Sequence, residues 1–196
     1  MCGIAGIISV SYDEPIPRET LDAMTDTLVH RGFDASGYRL GNGVGLGHRR
    51  LSMVDLATGD PPLNEDGSAW VVFNGEILDY DALRLPLTSE GHVLAARADT
   101  GVIVHQHEED GVACVERSLG MFAFAVGDDR KQQVLLARDR FGIKPLFSAE
   151  SGRRLAFASE MRAISGCRLS RPLRGREVAG IDRHARPEGV VKAYCG

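Results

Sequence analysis

The stretch Met1-Cys2-Gly3-Ile4-Ala5-Gly6 decides how the rest of the sequence is read. Ile4, Ile7, Ile8 and Val10 follow the cysteine, spaced by small residues, a pattern that predicts a short buried strand. Such a strand holds Cys2 in space instead of leaving it on a frayed end. Once Met1 is removed, Cys2 carries a thiol and a free α-amine on one residue. Their ordinary pKa values are about 8.5 and about 7.7–8.0, so the amine can serve as base for the thiol, directly or through a water. The plainer reading is that Cys2 is a small hydrophobe, as lone cysteines usually are. The terminus fits neither a myristoylation signal, which needs glycine after Met1, nor a signal peptide.

Composition bounds the function classes. The 196 residues, 43% apolar and 26% charged, suit one well-buried domain. A net charge of −4 gives no footprint for nucleic acid or an anionic membrane. No apolar run approaches the ~18–20 residues needed to span a bilayer. The four cysteines (Cys2, Cys114, Cys167 and Cys195) contain no C-x-x-C pair. That argues against a zinc ribbon or a disulfide framework and suits a reducing cytoplasm. From residue 168 onward, seven Lys/Arg stand against three Asp/Glu. Residues 168–196 read as a basic, loosely held extension of a domain over 1–167.

The remaining pattern is mixed. Leu21, Met24 and Leu28 predict a helix that stops at Arg31-Gly32. Ser36 to Leu40 and Val44 to Leu51 predict a hairpin around Gly41-Asn42-Gly43, and the glycines there lack the helix and Lys-Ser/Thr of a phosphate loop. Ala69 to Phe73 is a strand covered on both faces, ending at Asn74-Gly75-Glu76. Asp79 to Leu85 predicts a short helix stopped by Pro86, and Asp99 to Glu109 a second one capped by Asp99 or Thr100. His105 and His107, two apart on that helix, make a poor metal pair and read as surface or boundary residues. Hairpins follow at 121–137 and 145–158. The sum is an α+β layered domain.

Several stretches together resemble one family. They are MCGIAG at the terminus, HRG-x-D-x-SG at His30 to Gly37, GHRRLS-x-VDL at Gly47 to Leu56, and NGEI at Asn74 to Ile77. GMFAFA at Gly120 to Ala125, RDRFGIKPL at Arg138 to Leu146 and ASE at Ala158 to Glu160 complete the set. Colinear over residues 1–167, they resemble the glutaminase domain of class II glutamine amidotransferases, in the glutamine-dependent asparagine synthetase branch. The resemblance implies a four-layer αββα sandwich of the N-terminal nucleophile hydrolase type, with two antiparallel sheets flanked by helices. It implies hydrolysis of the glutamine side-chain amide to glutamate and ammonia through a thioester at Cys2.

It also assigns roles. Asn74 and the backbone N–H of Gly75 would stabilise the oxyanion; taken alone, Asn74-Gly75 is equally a turn. Arg50 would hold the substrate carboxylate as a planar fork. Asp99, with Glu76 beside it, would receive the α-ammonium. Glutamine would lie along Arg50-Leu51-Ser52-Met53-Val54. Arg49 is the neighbouring alternative, but the R-L-S pattern selects Arg50. This sequence departs from the family at Phe33, where proline is usual, at Leu78-Asp79 for Tyr-Asn, and at Ala98-Asp99-Thr100-Gly101 for Ser-Asp-Thr-Glu. No metal and no cofactor is expected in this chain, since ATP and Mg belong to the family's synthetase domain, whose Ser-Gly-Gly loop is missing here. L-glutamine is the expected small-molecule substrate, a separate synthetase subunit is a candidate partner, and neither nucleic acid nor membrane is expected. Two other readings are a different N-terminal-nucleophile amidohydrolase and a catalytically silent interaction domain.

Overall fold

A computed structural model describes residues 1–9, 14–41, 43–51, 66–94 and 99–167, together with the backbone of 174–177 and 190–194. Strand β1 (Gly3–Ser9) is buried along its whole length. It lies between β3 (Val44–Arg50) and β8 (Arg154–Ala158), antiparallel to both. With β2 (Ala35–Gly41), β7 (Phe147–Ser151) and β9 (Arg174–Glu177) it makes a six-stranded sheet in the order β2-β3-β1-β8-β7-β9. The second sheet has the order β10-β6-β5-β4, from β4 (Ala69–Ile77), β5 (Gly120–Asp128), β6 (Gln133–Arg138) and β10 (Val190–Tyr194). β10 runs parallel to β6 and the other described pairs are antiparallel.

Alternation along the strands sorts the apolar residues into three layers. Ile4 and Ile8 of β1, Val44 and Leu46 of β3, Trp70 and Val72 of β4, and Phe157 of β8 fill the space between the sheets. Ala5 and Ile7, on the other face of β1, pack with Met24 of α1 (Arg18–Asp26) and Ile164 of α5 (Met161–Gly166). Val71 and Phe124 pack outward against Ile103 and Val104 of α3 (Asp99–Asp110) and Val115 of α4 (Cys114–Arg117). Helix, sheet, sheet and helix are therefore stacked in that order. The near-continuous apolar runs of β1 and β4 follow from burial on both faces.

Four local expectations change. The predicted strand at Ala69–Phe73 does not end at Asn74; it runs on to Ile77, because Asn74 pairs with Ala123 and Gly75 with Phe122. Pro86 does not stop the second helix, which spans Tyr80–Ser89 (α2). Its missing N–H forfeits one bond, while buried Leu87 anchors the last turn. The helix closes instead at Gly91, whose φ of 100° suits only glycine, with His92 N–H donating to Leu87 O at 3.1 Å. The first helix ends at Asp26, where Thr25 and Thr27 hydroxyls cap preceding carbonyls, and a 3-10 turn at Val29–Arg31 carries the chain on. His105 and His107 are buried, not surface or boundary residues, because α3 is covered by the second sheet on one side and by α2 on the other.

The predicted hairpin at 36–51 is present as β2 and β3, with Gly43 at φ 68°. Residues 174–177 of the basic extension add to the edge of the first sheet beside β7, and 190–194 add beside β6. No helix of the described residues is long and apolar enough to cross a membrane.

Candidate active site

Cys2 is half-buried and stands one residue before β1. The last registered pair on that side is Gly3 with Arg49, so Cys2 lies one step further, opposite Arg50. Alternation puts Cys2 on the face of Ile4, and Arg50 on the face of Val44 and Leu46. Both therefore belong to the space between the sheets. Arg49 faces the other way, donating to Thr25 O at 3.3 Å and pairing with Asp26. The other described thiols are chemically quiet. Burial pushes Cys114 up to about 12 and Cys167 up to about 11.

The terminus is held by residues that the sequence motifs contain but to which no role was assigned. Arg31 Nε donates to the Cys2 carbonyl at 3.1 Å, and its Nη1 pairs with Glu160 at 3.0 Å. His30 and Arg162 converge on the same carboxylate at 2.8 Å and 2.7 Å. Burial alone would raise the Glu160 carboxyl, but hydrogen bonds from Arg31 and His30 bring it below its usual value. Ser159 Oγ accepts from Ile4 N–H at 3.0 Å, and Ser159 N–H donates back to Ile4 O at 2.9 Å. Gly32 has no room for a side chain: a Cβ there would stand 2.5 Å from the Arg49 carbonyl oxygen. Thus the HRG and ASE motifs clamp the chain on either side of Cys2.

The second sheet brings its own residues to the same end. Asn74, Ala123 and Arg138 are in register across β4, β5 and β6. Beyond Arg138 the chain folds over as a loop held by one carboxylate. Asp139 accepts from the backbone N–H groups of Phe122, Phe141, Ile143 and Lys144, at 2.9–3.2 Å. Arg138 donates to the carbonyls of Lys144 and Gly142 at 2.8 Å and 2.7 Å. Lys144 reaches Met1, its Nζ standing 3.8 Å from the Met1 sulfur. The Cys2 end of the first sheet therefore adjoins the Asn74 end of the second.

Asn74 shares the face of Trp70 and Val72 between the sheets and is 1% exposed. Its Nδ2 has no hydrogen-bond partner among the described residues. A buried amide donor left in that state costs about 1–3 kcal/mol. Next to it, Gly75 offers its backbone. Leu78 N–H donates to Leu119 O, so even-numbered residues here turn their N–H groups toward β5. Odd-numbered ones turn outward, as Ile77 N–H does toward Asp99. Gly75 N–H is thus on the outer edge of β4, where the sheet order ends. The glycine is required by the strand pair itself, since a Cβ would stand 2.2 Å from Met121 O.

Asp99 is the first residue of α3, and its Oδ2 accepts from Ile77 N–H at 3.2 Å. Burial raises the Asp99 carboxyl, hydrogen bonds from Ile77 and Thr100 oppose that, and the charge of Glu76 raises it further. The structure thus gathers Asn74, Gly75, Glu76 and Asp99 along one strand edge. Leu51 ends the described part of the segment after β3, and Ser52, Met53 and Val54 lie outside the described residues. Of the family departures, Phe33 and Leu78 are exposed, and Asp79 accepts from Leu119 N–H at 3.0 Å, fastening the start of α2 to the residue that precedes β5.

A family model described as "Glutamine amidotransferase domain" matches residues 1–179. The chain is 43% identical over 167 residues to asparagine synthetase [glutamine-hydrolyzing] 2 of Bacillus subtilis (strain 168), covering 84% of this chain and 22% of that protein. It is 39% identical to asparagine synthetase [glutamine-hydrolyzing] 3 of Arabidopsis thaliana, with 84% and 28% covered. It therefore spans about a quarter of the length of these relatives. In fold it is similar to glutamine phosphoribosylpyrophosphate (PRPP) amidotransferase from B. subtilis complexed with ADP and GMP. That likeness has a TM-score of 0.75 at 19% identity and covers 92% of this chain and 46% of that one. On its motifs, its four-layer fold and these matches, the chain belongs to the glutamine amidotransferase domain family.

Proposed function

We propose that the chain hydrolyses the side-chain amide of glutamine to glutamate and ammonia, as the glutaminase half of a glutamine-hydrolysing asparagine synthase. One observation carries the reading. A half-buried thiol one residue before β1 and a buried, unpartnered amide donor on β4 lie at the adjoining ends of two sheets. In the proposed reaction the α-amine of processed Cys2 takes the thiol proton, directly or through a water, and the sulfur attacks the amide carbon. The oxyanion that forms is met by Asn74 Nδ2 and Gly75 N–H. Collapse breaks the C–N bond, the proton passes to the departing ammonia, and a thioester remains. Water, deprotonated by the same amine, then releases glutamate. Arg50 receives the substrate carboxylate, Asp99 and Glu76 the ammonium group, and the segment 50–54 the substrate's length.

The decisive assay supplies amide-labelled glutamine, aspartate, ATP and magnesium to the purified chain. Activating aspartate needs a nucleotide site, usually signalled by a glycine-rich loop at a helix N-terminus. The glycine run at 41–47 instead lies in the β2–β3 hairpin. Labelled ammonium and glutamate are expected, at a rate that aspartate and ATP leave unchanged. Labelled asparagine would refute the division of labour, and no turnover from protein lacking Met1 would leave a silent interaction domain.

Asp99→Asn separates binding from folding. The folded-state pKa of Asp99 is raised, so its ionisation destabilises the folded protein, a penalty absent below the unfolded value and complete above the folded one. Asparagine removes that penalty at neutral pH while keeping an oxygen for Ile77 N–H. The thermal midpoint at pH 7.5 is expected to hold or rise. The KM for glutamine should increase by about 10–100-fold, the range for losing one charged hydrogen bond of about 1.5–3 kcal/mol. An unchanged KM would remove Asp99 from the ammonium site.

A further inference from the structure

Helix α3 carries Asp99 at one end and, near the other, a group of side chains that the glutamine reaction does not use. His105 and Glu108 are three apart on the same face of α3, and His92 reaches them from the turn that follows α2. His105 Nδ1 stands 3.0 Å from Glu108 Oε2, and His92 Nδ1 stands 3.7 Å from the same oxygen. The two imidazole rings tilt at 53° with centroids 4.9 Å apart. One ligand atom from each of the three residues lies within 4.8 Å of the others. The His105 side chain is 4% exposed, that of His92 13% and that of Glu108 20%, so the group is largely shielded from solvent.

We propose that His92, His105 and Glu108 form a binding site for one divalent transition-metal ion of the zinc class, with a water in the fourth position. The donor set is the first reason: two neutral imidazoles and a carboxylate suit zinc, cobalt or nickel, whereas magnesium and calcium take oxygen ligands. Spacing is the second. Tetrahedral bonds of about 2.0–2.1 Å place neighbouring donors about 3.3 Å apart, and the separations of 3.0 Å and 3.7 Å bracket that value. The third reason lies outside the ligand shell. His92 Nε2 faces Glu109 Oε1 at 2.8 Å, which leaves Nδ1 turned toward the other donors. A carboxylate on the far nitrogen is the arrangement that fixes the tautomer of a metal-bound histidine. Glu109 is therefore a positioning residue. The left-handed turn at Gly91 aims His92 back at α3, so the ion would staple the α2 end to the helix that begins with Asp99.

The sequence hides this site because its ligands come from two elements. His105 and His107 are the eye-catching pair, yet His107 Nε2 turns to Asp128 at 3.3 Å, on the side of the second sheet. A purely structural reading of the same group, with Glu108 hydrogen-bonded to His105 and Glu109 to His92, makes the opposite forecast for added metal.

The test uses the tag-free full chain, stripped with a chelator and titrated with cobalt(II) and zinc(II). One equivalent is expected to bind, with a visible cobalt absorption that zinc abolishes and a thermal midpoint that rises with zinc concentration. His92→Ala, a replacement in the turn outside the helix, should weaken binding at least tenfold, and Glu109→Gln by about 10–100-fold. Glu108→Gln supplies a second ligand variant, and circular dichroism confirms the fold of each. The thiol and α-amine of Cys2 could chelate metal independently, so Cys2→Ala is included and should retain the equivalent. Absence of a saturable equivalent would overturn the proposal. So would equal binding by folded His92→Ala and Glu108→Gln, or loss of the equivalent in Cys2→Ala.

Discussion

Cys2→Ala is expected to abolish glutamine turnover and leave the fold intact. The substitution removes the sulfur that forms the thioester, and no described thiol can replace it, because burial holds Cys114 and Cys167 in their protonated forms. The supports of the terminus remain. Arg31 holds the carbonyl of residue 2, not its side chain, and Ser159 holds Ile4. Folding stability should therefore change by no more than a surface substitution usually causes, about 0.5 kcal/mol or less. The same chemistry makes activity follow loss of Met1. With Met1 retained, the nitrogen of Cys2 is an amide that cannot accept the thiol proton. Intact-mass analysis alongside the assay checks both points. Full turnover by Cys2→Ala, or by protein with Met1 in place, would remove Cys2 as a self-activating nucleophile.

Much of the architecture was legible because it rests on local patterns. The apolar runs of β1 and β4, the hairpin glycines at 41 and 43, and the period of α1 each report burial or backbone geometry within a few residues. Asn74-Gly75 was not legible in this way. As a dipeptide it favours a turn, and only pairing with Phe122 and Ala123, more than 45 residues away, makes it strand. Pro86 failed as a stop signal for a related reason: Leu87 packs in the core, and that tertiary contact outweighs one missing backbone bond. His105 and His107 read as surface or boundary residues because polar type is a weak guide where a helix is covered on two sides.

The site residues divide similarly. Arg49 and Arg50 are told apart in the sequence by motif only; in the structure Arg49 pairs with Asp26 of α1, and alternation along β3 turns Arg50 to the opposite face, that of Val44 and Leu46. The Asp139 carboxylate, with four backbone N–H groups around it, and the Glu160 cluster were present in the motifs as letters only. Their work is to position backbone, and residue type alone carries little sign of that. The Glu160 cluster acts on the backbone of Cys2 through Arg31, and the Asp139 carboxylate on the loop whose Lys144 reaches Met1.

Asn74→Ala is expected to lower kcat by about 10²–10³, the usual loss for one oxyanion donor, with thermal stability held or raised, because the cost of the unpartnered donor is removed with it. Ordinary buried polar residues behave differently. When such a side chain is bonded, its removal strands a partner and costs about 1–3 kcal/mol of folding free energy. Asn74 Nδ2 has no partner among the described residues, so truncation strands nothing there. What it removes is a buried donor without a partner, which the proposed reaction assigns to the oxyanion. The folded protein tolerates that donor because the strand pairing at Ala123 fixes the backbone of residue 74 regardless of its side chain. Asn74→Asp sharpens the test, since it keeps the shape but presents an acceptor where charge develops, and its kcat should fall at least as far. KM should move little in either variant if the amide meets the oxyanion more strongly than the ground-state carbonyl. Turnover by Asn74→Ala within a few-fold of the parent would place the oxyanion elsewhere. A loss of activity that merely tracked unfolding would make Asn74 a structural residue.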